Sequence, residues 1–389
     1  MKTYQNLLVC LLIHSLFFSI PCLASQDLLI KPPKGGLFEP IPVKYVFPPI
    51  LPNGSLYEEF TSGKIIKDNI SPAQPATKPW KIAVLIPHLK DPFWLGVNYG
   101  IIEQAKRLDV EVQIFVAEGY HDLVGQLIHM EEAIEKKFDA IILSPISMTE
   151  NDQSVAKAKA AGIPVFMAVN DMRSDDLVLK VNALVYDMGK KSMEWVINDA
   201  KKCGLKEINV ALQPGPKGAG WVMAEVDGTN DAIQKSSIKV NMLDIQYGES
   251  GPIEQAHLTE GLIKRFGEKI NYLIVCNVGA FAAVLPIKEA GLLGKIKIVG
   301  NDLVRESVMA ITKGEIAAAS DTRGVDIVRV AMNTVVNYLE GRIKKQDIPH
   351  DIILEVLVVD QSNFAQYPFS GSLPPDGFKP TLHYKPLMK

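Results

Sequence analysis

Residues 81–94 read Lys-Ile-Ala-Val-Leu-Ile-Pro-His-Leu-Lys-Asp-Pro-Phe-Trp. The run at 82–86 is apolar without alternation, which is typical of a strand buried on both faces of a parallel sheet. Asp91 can cap a following helix, and Pro92 suits the first position of that helix. The stretch therefore predicts a buried strand that leads through a short loop into a helix with two aromatic side chains on its first turn.

The same strand-and-helix unit recurs along the chain after this stretch. Short apolar runs alternate with helical stretches, first to residue 169 and then again from residue 188 to residue 299. Connections this short favour right-handed βαβ crossovers, which build a doubly wound sheet. The sequence therefore predicts an α/β protein made of two doubly wound, Rossmann-like lobes.

The two blocks set the predicted domain boundaries. The N-terminal lobe comprises residues 80–184 and 320–342, and the C-terminal lobe comprises residues 185–319 and 343–366. The chain is expected to cross between the lobes in a hinge of three segments. Residues 367–389 are rich in proline and are predicted to form an irregular C-terminal tail.

Two segments precede the lobes. Residues 1–24 begin with a positive charge, continue as an apolar run and end near small residues, which is the pattern of a cleavable signal peptide. An uncleaved anchor is the alternative, although the run is short for a membrane span. Residues 25–79 are rich in proline but also carry aromatic residues, which predicts an extended arm packed on the protein or on a partner. A disordered linker is the alternative for the arm. A periplasmic location is therefore expected.

Composition and motifs exclude several classes of function. The chain has 389 residues and a net charge of −3, which gives no electrostatic reason to expect nucleic acid or an anionic membrane as partner. It lacks a nucleophile elbow, a phosphate-binding loop and the third glycine of a dinucleotide-binding loop. Cys203 and Cys276, which follow the signal peptide, have no metal-type spacing. We expect no catalytic residue, no metal and no cofactor.

Polar and aromatic residues cluster where the predicted strands end. Ligands of open α/β sheets bind at the carboxyl ends of the strands. Aromatic rings can cover the apolar faces of a small ligand, while amides and carboxylates pair with its polar groups. The sequence therefore predicts a ligand cleft between the lobes, with the candidate residues Phe93, Trp94, Tyr120, Asn170, Asp171, Tyr186, Trp221, Asn277, Asp302 and Asp321.

These segments resemble type I periplasmic binding proteins, the superfamily of ribose-binding proteins and of the effector domains of LacI-type repressors. The resemblance rests on 82–84, 91–94, 139–145 and 161–165 in the first lobe, and on 298–302 and 313–318 in the second. It covers roughly residues 80–360. It implies a protein that closes its two lobes on a small molecule and does no chemistry on it.

A narrower resemblance is to the TorT group of this superfamily, through residues 89–100, 118–120, 214–220 and 372–380. TorT proteins are the periplasmic partners of the sensor kinase TorS in trimethylamine N-oxide (TMAO) sensing. The resemblance therefore implies TMAO or a similar ligand and a TorS-like sensor kinase as partner. Asp302 departs from the TorT pattern and resembles the hydroxyl-binding carboxylates of ribose-type proteins. A sugar-like ligand and a role as receptor of a sugar ABC transporter are the alternatives.

Overall fold

The computed structural model describes residues 38–47, 64–276 and 278–387. The predicted signal peptide lies outside these residues. In chain order the elements are β1 (Ile41–Val46), β2 (Ile65–Ile70), β3 (Lys81–Ile86), α1 (Pro92–Leu108), β4 (Glu111–Val116), α2 (Leu123–Glu135), β5 (Ala140–Leu143), α3 (Asp152–Ala160), β6 (Val165–Ala168), β7 (Leu179–Ala183), α4 (Val185–Lys202), β8 (Glu207–Gly215), α5 (Gly220–Gln234), β9 (Lys239–Tyr247), α6 (Pro252–Phe266), β10 (Tyr272–Cys276), α7 (Gly279–Ala282), α8 (Val284–Glu289), β11 (Lys297–Asn301), α9 (Arg305–Thr312), β12 (Ala318–Asp321), α10 (Gly324–Leu339), β13 (Asp351–Leu354), β14 (Leu357–Asp360) and β15 (His383–Tyr384).

The first sheet has the strand order β15-β4-β3-β5-β6-β7-β13-β1-β2. Its strands β3 to β7 and β13 run parallel. Ile82 and Val84 of β3 lie in one hydrophobic core with residues of α1 and α10, whereas Ala83 and Leu85 lie in another with residues of α2 and α3. The unbroken apolar run of β3 therefore follows from helices that cover both faces of the sheet.

The second sheet has the order β14-β12-β11-β10-β8-β9. Its strands are parallel except β14, which pairs antiparallel with β12. Helices α4 and α5 cover one face, and α6 to α9 cover the other. The predicted fold class, two α/β lobes in tandem, is confirmed.

Part of the predicted arm belongs to the first sheet. β1 and β2 form an antiparallel hairpin, and β1 also pairs with β13. Proline does not prevent this, because the pairing of β1 with β13 starts at Val43, one residue after Pro42. The ladder to β13 therefore needs no amide hydrogen from Pro42. Phe38, which leads into the hairpin, is buried in the first core.

In the described residues before the tail, the chain crosses three times between the lobes. The chain leaves the first sheet between β7 and α4, returns between β12 and α10, and leaves again between β13 and β14. The boundaries predicted from the sequence place the whole segment 343–366 in the second lobe. The structure instead divides it: β13 pairs with β7 in the first sheet, and β14 pairs with β12 in the second. The break at residues 355–356 is thus the third crossing, and β13 belongs to the first lobe.

The C-terminal tail makes a further return to the first lobe. Leu373 is buried in the core of the second lobe. The ring of Phe378 then packs on Tyr99 of α1, with ring centroids 5.3 Å apart. β15 finally pairs with β4 at the edge of the first sheet. The segment predicted to be irregular is therefore ordered by contacts with both lobes.

Candidate ligand-binding site

A cavity lies between the lobes, at the carboxyl ends of the parallel strands of both sheets. Its volume is about 50 Å3, which is room for roughly four water molecules. The lobes touch beside it, because a Cβ atom on Gly220 of the second lobe would meet Met148 of the first lobe at 2.3 Å. The arrangement is therefore closed, with an interior sized for a small molecule.

The first lobe contributes an aromatic wall. Phe93 and Trp94 stand on the first turn of α1, where Asp91 caps the helix by accepting a hydrogen bond from the Trp94 amide at 3.2 Å. Their rings are perpendicular, with centroids 5.5 Å apart. Trp94 is only 2% exposed. The predicted strand, cap and helix therefore place both rings at the cavity.

Tyr120 extends this wall beyond the end of β4. Its hydroxyl accepts hydrogen bonds from Asn170 Nδ2, at 3.3 Å, and from Trp94. Burial raises the pKa of Tyr120, so the phenol stays protonated at neutral pH. A phenol that accepts in this way can also donate its proton to a ligand.

His88 supports the wall from behind. Its ring makes edge contacts with Trp94 and Tyr120, at centroid distances of 5.9 and 5.5 Å. Burial and, to a smaller extent, the nearby positive charge of Lys90 together lower the pKa of His88 to about 4. The imidazole is therefore neutral at physiological pH and serves as packing for the two rings.

The second lobe contributes Trp221, at the start of α5. Its ring lies over Gly215, where a Cβ atom would meet the ring at 2.5 Å, so the close approach requires glycine. It also faces Tyr120 of the first lobe, with centroids 6.1 Å apart. Trp221 Nε1 is buried and has no hydrogen-bond partner among the described residues. A buried donor without a partner is costly, so this atom is a good candidate for ligand contact.

Asp302 is the carboxyl group of the second-lobe wall. It accepts hydrogen bonds from the backbone amide and the hydroxyl of Thr322, at 3.1 and 2.5 Å. Burial raises the pKa of Asp302 to about 7, because the charged form is poorly solvated there. Its backbone has a φ of 65°, in the left-handed region that few residues other than glycine adopt. Asp302 thus joins the cavity to the second crossing between the lobes.

A buried polar network lies beneath Asp302. Asn301 Oδ1 accepts hydrogen bonds from Ser192 and Ser320, and Asn301 Nδ2 donates to Glu225 at 2.6 Å. Glu225 is fully buried, and burial raises its pKa well above the usual range. Burial therefore favours the neutral form of its carboxyl group. The network fixes the end of β11, from which Asp302 projects.

Comparison with known proteins agrees with this architecture. The profile of the family described as "Periplasmic binding protein domain" matches residues 82–343. The chain belongs to the periplasmic binding protein family. A solved structure of an ABC transporter solute-binding protein from Bradyrhizobium sp. BTAi1, with bound bis-tris, is 34% identical. The match covers 89% of this chain and 98% of that one, with a TM-score of 0.75.

Two curated periplasmic binding proteins of Escherichia coli K12 are also similar. Periplasmic protein TorT is 27% identical over 311 residues, which is 80% of this chain and 86% of TorT. A TorT chain in a complex with the TorS sensor domain has a TM-score of 0.69 at 22% identity, covering 78% of this chain and 99% of that one. The D-allose-binding periplasmic protein is 25% identical over 289 residues, 72% of this chain and 91% of that protein. The chain is thus a type I periplasmic binding protein related to TorT and to sugar-binding proteins.

The structure brings six of the ten predicted residues of this binding protein to the cavity: Phe93, Trp94, Tyr120, Asn170, Trp221 and Asp302. Asn277 lies outside the described residues. The other three do not line the cavity. Asp171 points to Lys180, with 2.8 Å between Oδ1 and Nζ. Tyr186 forms a hydrogen bond with Asp231 instead.

Asp321 serves the hinge rather than the cavity. It is buried at the end of β12, where it accepts hydrogen bonds from the hydroxyls of Tyr367 and Ser372 and from the Arg323 amide. Tyr367 and Ser372 belong to the tail, so this aspartate joins the hinge to the tail. A strand-end aspartate can therefore serve the backbone instead of the ligand, which sequence position does not reveal.

The sequence-based prediction missed several residues that line the cavity. The sequence predicts only a capping role for Asp91, and Thr322 directly follows the predicted residue Asp321. Ser250, three residues after β9, is a strand-end position of the predicted type. The other missed residues that line the cavity include Val185, Met188 and Cys276. Among helices in the described part of the chain, none is long and apolar enough to span a membrane.

Proposed function

We propose that this protein captures a small polar molecule between its lobes and presents the closed form to the periplasmic domain of a sensor histidine kinase. The observation that carries the proposal is the cavity lined by rings of both lobes, among them Trp221, whose buried Nε1 has no hydrogen-bond partner among the described residues. TMAO has five non-hydrogen atoms, which is comparable with the roughly four water molecules for which the cavity has room. Capture and release leave the ligand chemically unchanged.

The mechanism follows from the position of the donors. Tyr120 belongs to the first lobe and Trp221 to the second, so a ligand oxygen that accepts from both makes its full set of contacts only in the closed form. A ligand shifts an opening equilibrium only by its difference in affinity for the two states. Aromatic rings around a positively polarised nitrogen add to that difference.

Support for a sensing role comes from the relation to TorT, which extends over 86% of that protein. The bis-tris bound to the Bradyrhizobium relative is a tertiary amine that carries hydroxyl groups. A nitrogen centre surrounded by small substituents is therefore compatible with a related cavity. Export to the periplasm through residues 1–24 is part of this proposal, and the mature protein is expected to begin near Ser25.

Thermal unfolding with candidate ligands tests the capture step. TMAO is expected to raise the melting temperature of the wild-type protein, and Trp94→Ala is expected to abolish this shift. Size-exclusion chromatography with the periplasmic domain of a sensor kinase encoded beside the gene tests the partner. A neighbouring permease and ATPase, with no complex formed by any kinase domain, would reject the sensing role.

A receptor for a sugar ABC transporter is the second candidate. Asp302 and Asn170 are the carboxylate and amide groups that bind sugar hydroxyls, and both line the cavity. The relation to the D-allose-binding protein and to the Bradyrhizobium solute-binding protein supports this candidate. A melting-temperature shift with pentoses or hexoses, and none with TMAO, would favour it.

A further inference from the structure

The cavity wall carries acidic side chains without basic ones among the described residues. Asp91 and Asp302 are the two carboxyl groups among the described residues that line the cavity. No lysine, arginine or histidine is among the described residues that line it. A neutral ligand would have to face carboxyl groups with few compensating charges, which is unfavourable in a desolvated site.

The aromatic residues that make up much of the rest of the cavity wall also favour a cation. The rings of Phe93, Trp94, Tyr120 and Trp221 surround the space, and a cation within about 6 Å of such ring centroids is attracted by their negative faces. Met188 and Val185 complete the wall without adding charge. Rings and carboxyl groups in one small cavity are the pairing that organic ammonium ions need.

We propose that the ligand of this cavity is a small organic cation, an ammonium group with methyl or short hydroxylated substituents, held by Asp302 and Asp91 within the four rings. The inference rests on the proposed capture of a small molecule in this cavity and narrows its chemical class. We therefore expect a cationic amine to bind more tightly than a sugar or TMAO, which carries no net charge.

Proton linkage follows from the same geometry. The pKa of Asp302 is about 7 without a ligand, and a bound cation favours the ionised carboxylate. Binding therefore releases a proton below pH 7, and affinity rises with pH, by at most about tenfold per unit, until Asp302 is ionised. The titratable groups that face Asp302 are Asp91, Tyr120, Glu225, Cys276, Asp321 and Tyr367.

Choline and 3,3-dimethylbutan-1-ol form a matched pair for the test, because the second replaces the quaternary nitrogen of the first by carbon. Calorimetric titrations of the full mature chain are made at pH 6, 7 and 8 in phosphate, since amine buffers would compete. Choline is expected to bind at least about tenfold tighter than the alcohol, with affinity rising from pH 6 to pH 8. Asp302→Asn is expected to lose both effects, and Asp68→Asn, on the exposed face of β2, neither.

Equal affinity for choline and its carbon isostere would overturn the inference, as would an Asp302→Asn variant that keeps the preference and its pH dependence. TMAO, tetramethylammonium and D-allose are titrated in parallel. Binding of TMAO or D-allose without either cation would reject the cation and leave the proposed capture function standing. Binding of none of these probes would count against both.

Discussion

Trp221 is the residue whose role is most sharply testable, because its indole has one polar atom and that atom has no hydrogen-bond partner among the described residues. Trp221→Phe keeps an aromatic ring and removes only the donor. A hydrogen bond of this kind contributes about 1 kcal/mol, so ligand affinity is expected to fall about two- to tenfold. The ligand-free protein is expected to keep its stability, because the variant also removes an unsatisfied buried group. Titration calorimetry and thermal unfolding measure the two quantities.

Trp195→Phe supplies the matched control. Its indole nitrogen donates to Asp360 at 2.8 Å, away from the cavity. That variant is expected to bind ligand normally and to lose some stability. A Trp221→Phe variant that binds as well as wild type, or that unfolds more easily than Trp195→Phe, would contradict a ligand-directed role for the donor.

The raised pKa of Asp302 predicts that the difference in stability between Asp302→Asn and wild type depends on pH. Its pKa is about 7 in the folded protein and 3.8 ordinarily. The stability that its neutral carboxyl group contributes to the folded state is therefore fully present below pH 3.8 and is lost as pH rises through 7. Asp302→Asn imitates the neutral form and can still accept from Thr322. Without ligand, the variant is expected to match wild type near pH 4 and to exceed it by a few kcal/mol, in order of magnitude, at pH 8.

Chemical denaturation at pH 4, 6 and 8 measures this difference in the free energy of unfolding. The comparison with wild type cancels the other buried carboxyls, such as Glu225 and Asp321, whose pKa values are also raised by burial. Asp68→Asn is the surface control and is expected to give a flat difference. A gap that stays constant with pH would show that Asp302 is ionised in the folded protein throughout.

At the residue scale, sequence could predict which aromatic side chains reach the cavity but not which aspartates do. Phe93, Trp94 and Trp221 follow from strand ends and helix starts, because the first turn of such a helix faces the cleft. Asp171 and Asp321 occupy equivalent positions, yet Lys180 engages the first and the tail engages the second. Those partners are distant in sequence, and no local pattern announces them.

At the element scale, helices α4 and α5 position the second-lobe wall through a close contact. A Cβ atom on Gly228 of α5 would meet the Tyr186 carbonyl oxygen of α4 at 1.9 Å, and one on Gly189 would meet the Glu225 carbonyl oxygen at 2.1 Å. Both neighbours are backbone, so the helices must separate to admit a side chain. Because α4 carries Met188 and α5 carries Trp221, separation would also deform the cavity.

Gly228→Ala is therefore expected to lower the free energy of unfolding by about 2–3 kcal/mol and to weaken ligand binding. Gly261→Ala in α6 is the control, because nothing lies within 4 Å of its Cβ position. That change is expected to be neutral or to stabilise by about 0.5–1 kcal/mol, as alanine favours a helix. Denaturant titrations that rank the two variants in the opposite order would contradict the close helix contact.

Sequence patterns predicted most of the parallel strands because these strands are covered on both faces and read as apolar runs. They did not predict β7, in which Lys180 and Asn182 interrupt the apolar pattern. Sequence patterns did not predict the elements whose structure depends on which strands pair with one another. β13 and β14 look like one strand, although a crossing separates them. The hairpin of β1 and β2 lies within proline-rich sequence, and only its partner β13 shows why the prolines are tolerated.

At the scale of the whole molecule, the tail ties the two lobes together. On the second lobe, Arg305 donates to the Pro374 carbonyl at 2.6 Å and pairs with Asp376 at 2.6 Å. On the first lobe, buried Asn98 exchanges two hydrogen bonds with the Thr381 backbone, at 3.0 and 3.1 Å. The tail is therefore anchored at both ends in the closed form, and opening must stretch or release it.

Release of either anchor is expected to favour the open form. The apparent dissociation constant rises as the closed fraction falls. Arg305→Ala is expected to raise it about two- to fivefold, since a partly exposed ion pair contributes no more than about 1 kcal/mol. Asn98→Ala is expected to act in the same direction, and both are expected to enlarge the ligand-free radius of gyration seen by small-angle X-ray scattering.

The double variant distinguishes a tail that acts as one tether between the lobes from a tail that makes two independent contacts. If the tail acts as one tether, the first substitution already frees it, so Arg305→Ala and Asn98→Ala together should weaken binding little more than either alone. Independent contacts would instead add in free energy and multiply in affinity. Lys295→Ala, which breaks an exposed pair with Glu268, is the control and should change neither affinity nor radius of gyration. Full additivity in the double-mutant cycle, or single variants with an unchanged radius of gyration, would mean that the tail contacts both lobes but does not stabilise the closed form as a tether.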